Sequence, residues 1–218
     1  MHFEILVEGQ SDNTALSILM PKMVGSYKNP HTWRIHPHRG LGVLPSDLCG
    51  KTNTNDVTLL HNLAAKLRAY GRASADDTVV VVLVDLDDRA DCRQFKQQLM
   101  ACLTTCDPPP RCLFRIAIRE LESWFLGDLA AIQSGYPSAG ADPLLCVSEV
   151  EGGWAELAHL ILPPEEVEGI KADKRSARLT DYKRDWAKRI APFMEVESNR
   201  NLSFQHFRDG LRCFAASS

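Results

Sequence analysis

Apolar residues in the first part of the chain fall into two alternating kinds of run. Phe3 to Val7, Thr78 to Val84 and Leu113 to Ile118 are short and almost continuously apolar, and Thr32 to Pro37 is a further short segment of extended character. Thr78 to Val84 is the clearest, with five valines and a leucine, β-branched and apolar on both faces, as in a central strand covered by helices on each side. Between these runs the spacing changes to helical. Ala15, Leu16, Ile18 and Leu19 predict a helix to about Val24, capped by Ser11 or Asp12, with Pro21 in its last turn. Leu59, Leu60, Leu63, Leu67 and Tyr70 predict another from Asp56 to Tyr70, closed by Gly71. Further helices are predicted over 90–103 and 120–129, and a Gly- and Pro-punctuated loop over 39–55. The order βαβαβαβα predicts an α/β fold, a mostly parallel four-stranded sheet flanked by helices.

After Ser134 the pattern shifts. Gly and Pro cluster at 135–143, and helical pieces are predicted at 154–161, 164–170 and 179–191. The expected organisation is an α/β domain over 1–134 and a mainly helical extension or subdomain over 135–218.

Composition narrows the classes. At 44% hydrophobic and 24% charged residues, the chain is an ordinary globular sequence. No apolar run approaches the roughly 20 residues of a membrane span. The N-terminus opens on a strand pattern rather than a basic-then-apolar leader, so a cytoplasmic protein is expected. The seven cysteines are odd in number, without a CxxC pair or a neighbouring histidine, and read as reduced thiols rather than a zinc site. A net charge of −3 means that any polyanion contact must be local. The stretch Lys171, Lys174, Arg175, Arg178, Lys183, Arg184, Lys188 and Arg189 offers one such patch, or else a solvated helical face.

Acidic residues stand where the strands run out. Glu8 follows the first strand in Val7-Glu8-Gly9, where the chain turns into a helix N-terminus. Asp85, Asp87 and Asp88 follow the valine-rich strand. In an extended segment Asp85 and Asp87 point the same way while Leu86 packs inward. Glu120 and Glu122 follow Leu113 to Ile118. If a helix begins at 120 the two diverge, which favours Glu120 as the one facing the other acids. The carboxyl ends of parallel strands share one edge, so these groups can converge there and hold a hard cation such as Mg²⁺. His38 and Arg39, at the exit of the second strand, could reach a substrate phosphate, with His38 as a proton shuttle. The chain contains no G-x-x-x-x-G-K-[ST] loop, no G-x-G-x-x-G after its first strand and no G-x-S-x-G elbow.

A glutamate after the first strand and a D-x-D after the central one, in this element order, resemble the Toprim domain of topoisomerases, primases and the overcoming-lysogenization-defect nucleases. Leu6 to Gly9, Val82 to Asp88, Ile116 to Asp128, and Asn201-Leu-Ser203 through Phe207 resemble more closely a family of small prokaryotic Toprim-like proteins, across almost the whole chain. The resemblance implies a Toprim/Rossmann-like sheet with the first and central strands side by side. It implies Glu8, Asp85 and Asp87 as acid/base and metal-binding residues for Mg²⁺ or Mn²⁺, with Asp88, Glu120 and Glu122 as further metal candidates. Such proteins are commonly encoded beside an ATPase and tied to defence against phage or plasmids.

The expected function is therefore a Mg²⁺-dependent nuclease acting on DNA or RNA, with His38, Arg39, Lys171, Lys174 and Arg175 on the substrate and an ATPase as partner. The alternative is a non-catalytic adaptor or regulatory subunit of an ATPase complex.

Overall fold

The valine run divides its side chains between two cores, as a strand covered on both faces must. In the computed structural model, which describes residues 1–73, 75–140, 153–173 and 177–217, this run is β3 (Thr78–Asp85). Val79, Val81 and Leu83 enter one core, and Val80, Val82 and Val84 enter the other. β3 sits inside a four-stranded sheet of order β2-β1-β3-β4, with β1 His2–Val7, β2 Thr32–Pro37 and β4 Cys112–Ala117. Every pairing is parallel, so all carboxyl ends lie along one edge. The protein has an α/β fold with helices on both faces of the sheet.

α1 (Gln10–Val24) covers one face with Ala15, Leu16, Leu19 and Met20, whereas α2 (Leu59–Ala73) and α3 (Cys92–Ala101) cover the other. The crossover from β1 thus runs outward to β2 on one face, and the next returns past β1 to β3 on the opposite face. That reversal opens a crevice between the ends of β1 and β3, the position where open α/β sheets bind ligands.

Beyond β4 the chain forms α4 (Ser123–Leu126), α5 (Leu129–Gly135), α6 (Trp154–Ile161), α7 (Pro164–Ala172), α8 (Ala177–Ile190) and α9 (Leu202–Ala215). All six contribute to the core that also holds α1, through residues such as Trp124, Ile132, Leu157, Val167, Trp186 and Phe204. α8 lies against α1. Among the described residues no helix is long and apolar enough to cross a membrane.

Two local expectations are corrected, and one helix is added. Gly71 lies inside α2 rather than ending it, and a side chain there would meet the Pro108 carbonyl oxygen at 2.0 Å, so the glycine answers a close approach of two backbones. The predicted 120–129 helix is a turn followed by two short helices, because side chains of the 118–128 segment bond to the backbone rather than leaving a continuous helical ladder. Residues 202–215, not predicted as an element, form α9 with Asn201 as its cap.

Candidate active site

Glu8 follows β1 directly, and Asp85 is the last residue of β3, its neighbour in the sheet. Their adjacency is sealed by the Asp85 backbone N–H, which donates to Glu8 Oε1 at 2.6 Å. Asp85 in turn accepts from the Leu121 N–H through Oδ1 at 3.0 Å, tying the β3 end to the turn after β4. Each of these two carboxylates commits one oxygen to the backbone, and both residues line one cleft. Asp12 joins them from α1. It sits in the helix's first turn, not before it as expected, and its Oδ2 accepts from the Gly9 N–H at 2.9 Å. That reach-back satisfies a donor at the helix entry and draws Asp12 into the interior, where it is 8% exposed.

The turns after β3 and β4 brace one another. Leu86 N–H donates to the Ala117 carbonyl at 2.9 Å and Asp87 N–H to the Arg119 carbonyl at 2.8 Å. Asp87 and Arg119 both have left-handed backbones, φ 52° and 64°. For non-glycine residues this costs on the order of 1–2 kcal/mol each, a strain that folds retain mostly at functional sites. The left-handed turn also corrects the expected geometry. Asp85 and Asp87 do not project together, because the chain leaves the extended conformation between them. Asp85 faces Glu8, whereas Asp87 swings outward to pair with Arg89 at 3.2 Å.

Glu120 and Glu122 lie in the turn before α4, so the helical argument for their divergence does not apply. Both reach Lys183 of α8, whose Nζ donates to Glu120 Oε2 at 2.8 Å and to Glu122 Oε2 at 3.0 Å. The C-terminal Asn-x-Ser segment holds this turn. Asn201 Nδ2 donates to the Ser123 carbonyl at 3.1 Å, Asn199 Nδ2 to the Trp124 carbonyl at 2.8 Å, and Trp124 Nε1 to Ser203 Oγ at 3.0 Å. Behind them Trp124 packs edge-on against Phe204.

Five carboxyl groups, Glu8, Asp12, Asp85, Glu120 and Glu122, thus gather around one ammonium. Burial pushes Glu8 up to about 8, against the hydrogen bond from Asp85, with the charges of Asp12 and Asp87 adding to the rise. Asp85 is driven well above the carboxylate range by burial, then by Glu8 and Asp12. Burial likewise raises Asp12 and Glu120, with Lys183 opposing in both. For Lys183 itself burial would lower the pKa, but Glu122, Glu120 and Asp85 outweigh it and raise it. One lysine does not balance this site.

Two clefts open on either side of Lys183. One, of about 370 Å³, is lined by Glu8, Asp12, Asp85, His38, Arg39 and Arg184, among others. The other, of about 660 Å³, is lined by Asp87, Asp88, Glu120, Arg119 and Lys171 with Trp154. His38 Nδ1 donates to the Val7 carbonyl at 2.8 Å, and burial keeps the ring below its usual pKa, so the neutral imidazole leaves Nε2 as an acceptor. Of the expected substrate groups, His38 and Arg39 lie beside Glu8, and Lys171 lies in the other cleft, paired with Glu168 at 3.1 Å. Lys174 and Arg175 lie outside the described residues.

Lys183 and Asp12 escaped the sequence reading. Lys183 carries a recoverable signal, since Leu179, Trp186 and Ile190 are buried on α8 and Lys183 falls on the same stripe. A lysine on an apolar stripe needs a buried partner, whereas its neighbours in the basic run do not. Asp12 gave no signal beyond that of a helix cap.

Carboxylate oxygens of Glu8, Asp12 and Asp85 line the crevice, which suits a hard cation. As the side chains stand, no three His, Cys, Asp or Glu among the described residues form a ready-made cation cage. Neither the curated proteins nor the solved structures contain a match to this chain. Residues 7–212 match the sequence model described as Domain of unknown function (DUF4276), and the chain belongs to that family.

Proposed function

We propose that the protein hydrolyses phosphodiester bonds of nucleic acid with Mg²⁺ or Mn²⁺. The observation that carries this reading is the surplus of buried carboxylates at the β1/β3 crevice, with Glu8 and Asp85 both lining the 370 Å³ cleft. Such a surplus calls for protons or a further cation. Glu8 and Asp85 would hold the ion, and Asp87 would join after leaving Arg89, with Asp88, Glu120 and Glu122 as flanking acids. When bound, it supplies charge stabilisation at phosphate oxygens and an activated water. The protein's own groups do the rest. Arg39 and Arg184 on one side, and Arg119 and Lys171 on the other, offer charges for successive phosphates. His38 Nε2 can accept a proton at the cleft.

The resemblance to Toprim nucleases agrees with this assignment and suggests an ATPase partner in a defence role. The test is cleavage of DNA and RNA with Mg²⁺ or Mn²⁺, with and without a neighbouring ATPase. Loss of cleavage is expected in both Glu8→Gln and Asp85→Asn. Activity persisting in both variants would remove these residues from the reaction.

Two observations favour a second reading, a non-catalytic adaptor. Lys183 already neutralises part of the cluster, and Asp87 is turned away from Asp85. Calorimetry separates the two. Heat of Mg²⁺ or Mn²⁺ binding that disappears in Asp85→Asn supports the enzyme, and no such heat in the parent protein supports the adaptor.

A further inference from the structure

β4 is an edge strand, and the groove beside it has a distinct chemistry. The backbone hydrogen bonds that join the β3 side to Arg111, Ala117 and Arg119 use odd-numbered residues of the β4 segment. By the alternation of a strand, Cys112, Phe114 and Ile116 direct their backbone groups to the open edge, where no strand follows among the described residues. α3 flanks this edge on one face of the sheet and α9 on the other. Between them lies a groove of about 620 Å³.

Its floor is apolar, formed by Phe114, Ile116 and Ile118, and its mouth carries Leu202, which is 65% exposed. Its rim is cationic. Lys96 projects from α3, Arg115 from β4, Arg200 stands before α9 and His206 lies on it, and among the described residues no carboxylate lines the groove. Lys96 and Arg200 are exposed and have no ion-pair partner among the described residues. This local excess of positive charge stands out in a chain of net charge −3.

We propose that the β4 edge docks an extended segment of a partner protein in which acidic side chains alternate with β-branched apolar ones. Adding a strand uses outward backbone groups for affinity and side-chain pockets for selectivity. Alternate residues would point to opposite faces, which suits a groove walled by a helix on each. The apolar ones would cover Phe114 and Ile116 on the α3 face, and the acidic ones would meet Arg115 and Arg200 on the α9 face. Arg115 now caps this edge, donating through Nη1 to the Phe114 carbonyl at 3.0 Å and through Nε to the His206 carbonyl at 2.8 Å. An incoming N–H would take over the Phe114 carbonyl and free that contact for a carboxylate. A second copy of the chain is disfavoured as occupant, because pairing two β4 edges sets Arg115, Lys96 and Arg200 against their own copies.

The experiment titrates the whole protein with acetyl-Val-Glu-Val-Asp-Val-Glu-Val-amide and follows backbone amides by NMR. Shift changes centred on Cys112 to Ile118, with protection of the Phe114 and Ile116 amides, support the inference. The charge reversal Arg200→Glu leaves the fold intact, since the side chain is exposed. It should weaken the acidic peptide about tenfold and strengthen a lysine-substituted counterpart. A version N-methylated at alternate residues should fail to bind. Absence of binding at millimolar peptide overturns the proposal. So do undiminished binding of the N-methylated peptide, shifts confined to other surfaces, displacement of the acidic peptide from these amides by a single-stranded oligonucleotide, or a dimer that protects the edge by itself.

Discussion

Lys183→Met tests the electrostatic reading of the site without requiring any activity. The lysine Nζ lies at 2.8 and 3.0 Å from Glu120 and Glu122, whose side chains are 19% and 2% exposed. Removing one partner of a buried pair costs roughly 3–5 kcal/mol, because the other charge remains buried and unmatched. Glu122 bears nearly the full penalty, whereas the exposure of Glu120 softens its share. The loss expected near pH 8.5 is therefore about 3 kcal/mol. Its pH dependence has a definite sign. Lys183 has its pKa raised from 10.5, so its own stabilisation is constant below that value and fades only at more alkaline pH. Any change between about pH 5.5 and 8.5 thus comes from the carboxyl groups. Burial raises Glu120, and losing the lysine raises it further, so the variant is relieved by protonation at low pH. Urea unfolding followed by tryptophan fluorescence should show a smaller deficit near pH 5.5 than near pH 8.5. Adding Glu122→Gln to the variant should restore at least about 1 kcal/mol. A deficit under about 1 kcal/mol near pH 8.5, or one equal at both pH values, refutes the reasoning and makes Lys183 a solvent-facing residue.

Glu8→Gln should act in the opposite direction in metal-free protein. Glu8 is raised from 4.5 to about 8, so stability is fully present below 4.5 and declines as the pH rises through about 8. The ceiling of that loss is roughly 5 kcal/mol, and cleft water should reduce it by about half. The glutamine variant is then about 2 kcal/mol more stable than the parent near pH 8.5 and equal to it near pH 4, and a reversed slope in chemical denaturation defeats the assignment. Gly71→Ala should destabilise by roughly 1–3 kcal/mol despite alanine's helix preference of about 1 kcal/mol, because the Pro108 carbonyl must move. A melting temperature at or above the parent's rejects that account.

What the sequence made legible follows from periodicity. A strand with both faces buried cannot hide its composition, and Val79 to Val84 marked the centre of the sheet at once. Glu8 and Asp85 were legible for the same reason, since parallel strands put their ends on one edge. Less legible were features set by tertiary contact. The left-handed backbone at Asp87 depends on the Arg119 carbonyl of another turn, so local reading kept the segment extended. Gly71 carried the right residue for a helix end, but a backbone packed against it supplied the actual reason. The segment around Asn201 lacked strong apolar periodicity at its start, and its side-chain bonds to Ser123 and Trp124 could not be inferred from spacing. Lys183 sat in a basic run that looked uniform until burial distinguished one member.

The two expected parts of the chain meet in the chemistry of the site as well as in the core. α1 begins two residues after Glu8, and its apolar face carries Leu16, Leu19 and Met20. α8 shares that core through Leu179, Trp186 and Ile190, and Lys183 stands on the same stripe. The contact that buries the α1 face therefore also sets the height at which the ammonium meets Glu120 and Glu122. Those two residues are held by the turn that Asn199, Asn201 and Ser203 secure, and the same turn gives its Leu121 N–H to Asp85. A path of hydrogen bonds runs from the Asn-x-Ser segment to the carboxylate at the β3 end. The first 134 residues contain the carboxyl groups but neither the lysine that balances two of them nor the asparagines that aim their turn. Assembly of the acidic crevice is on this basis a property of the complete sheet-and-helix packing, with the later helices acting as its electrostatic and positional half.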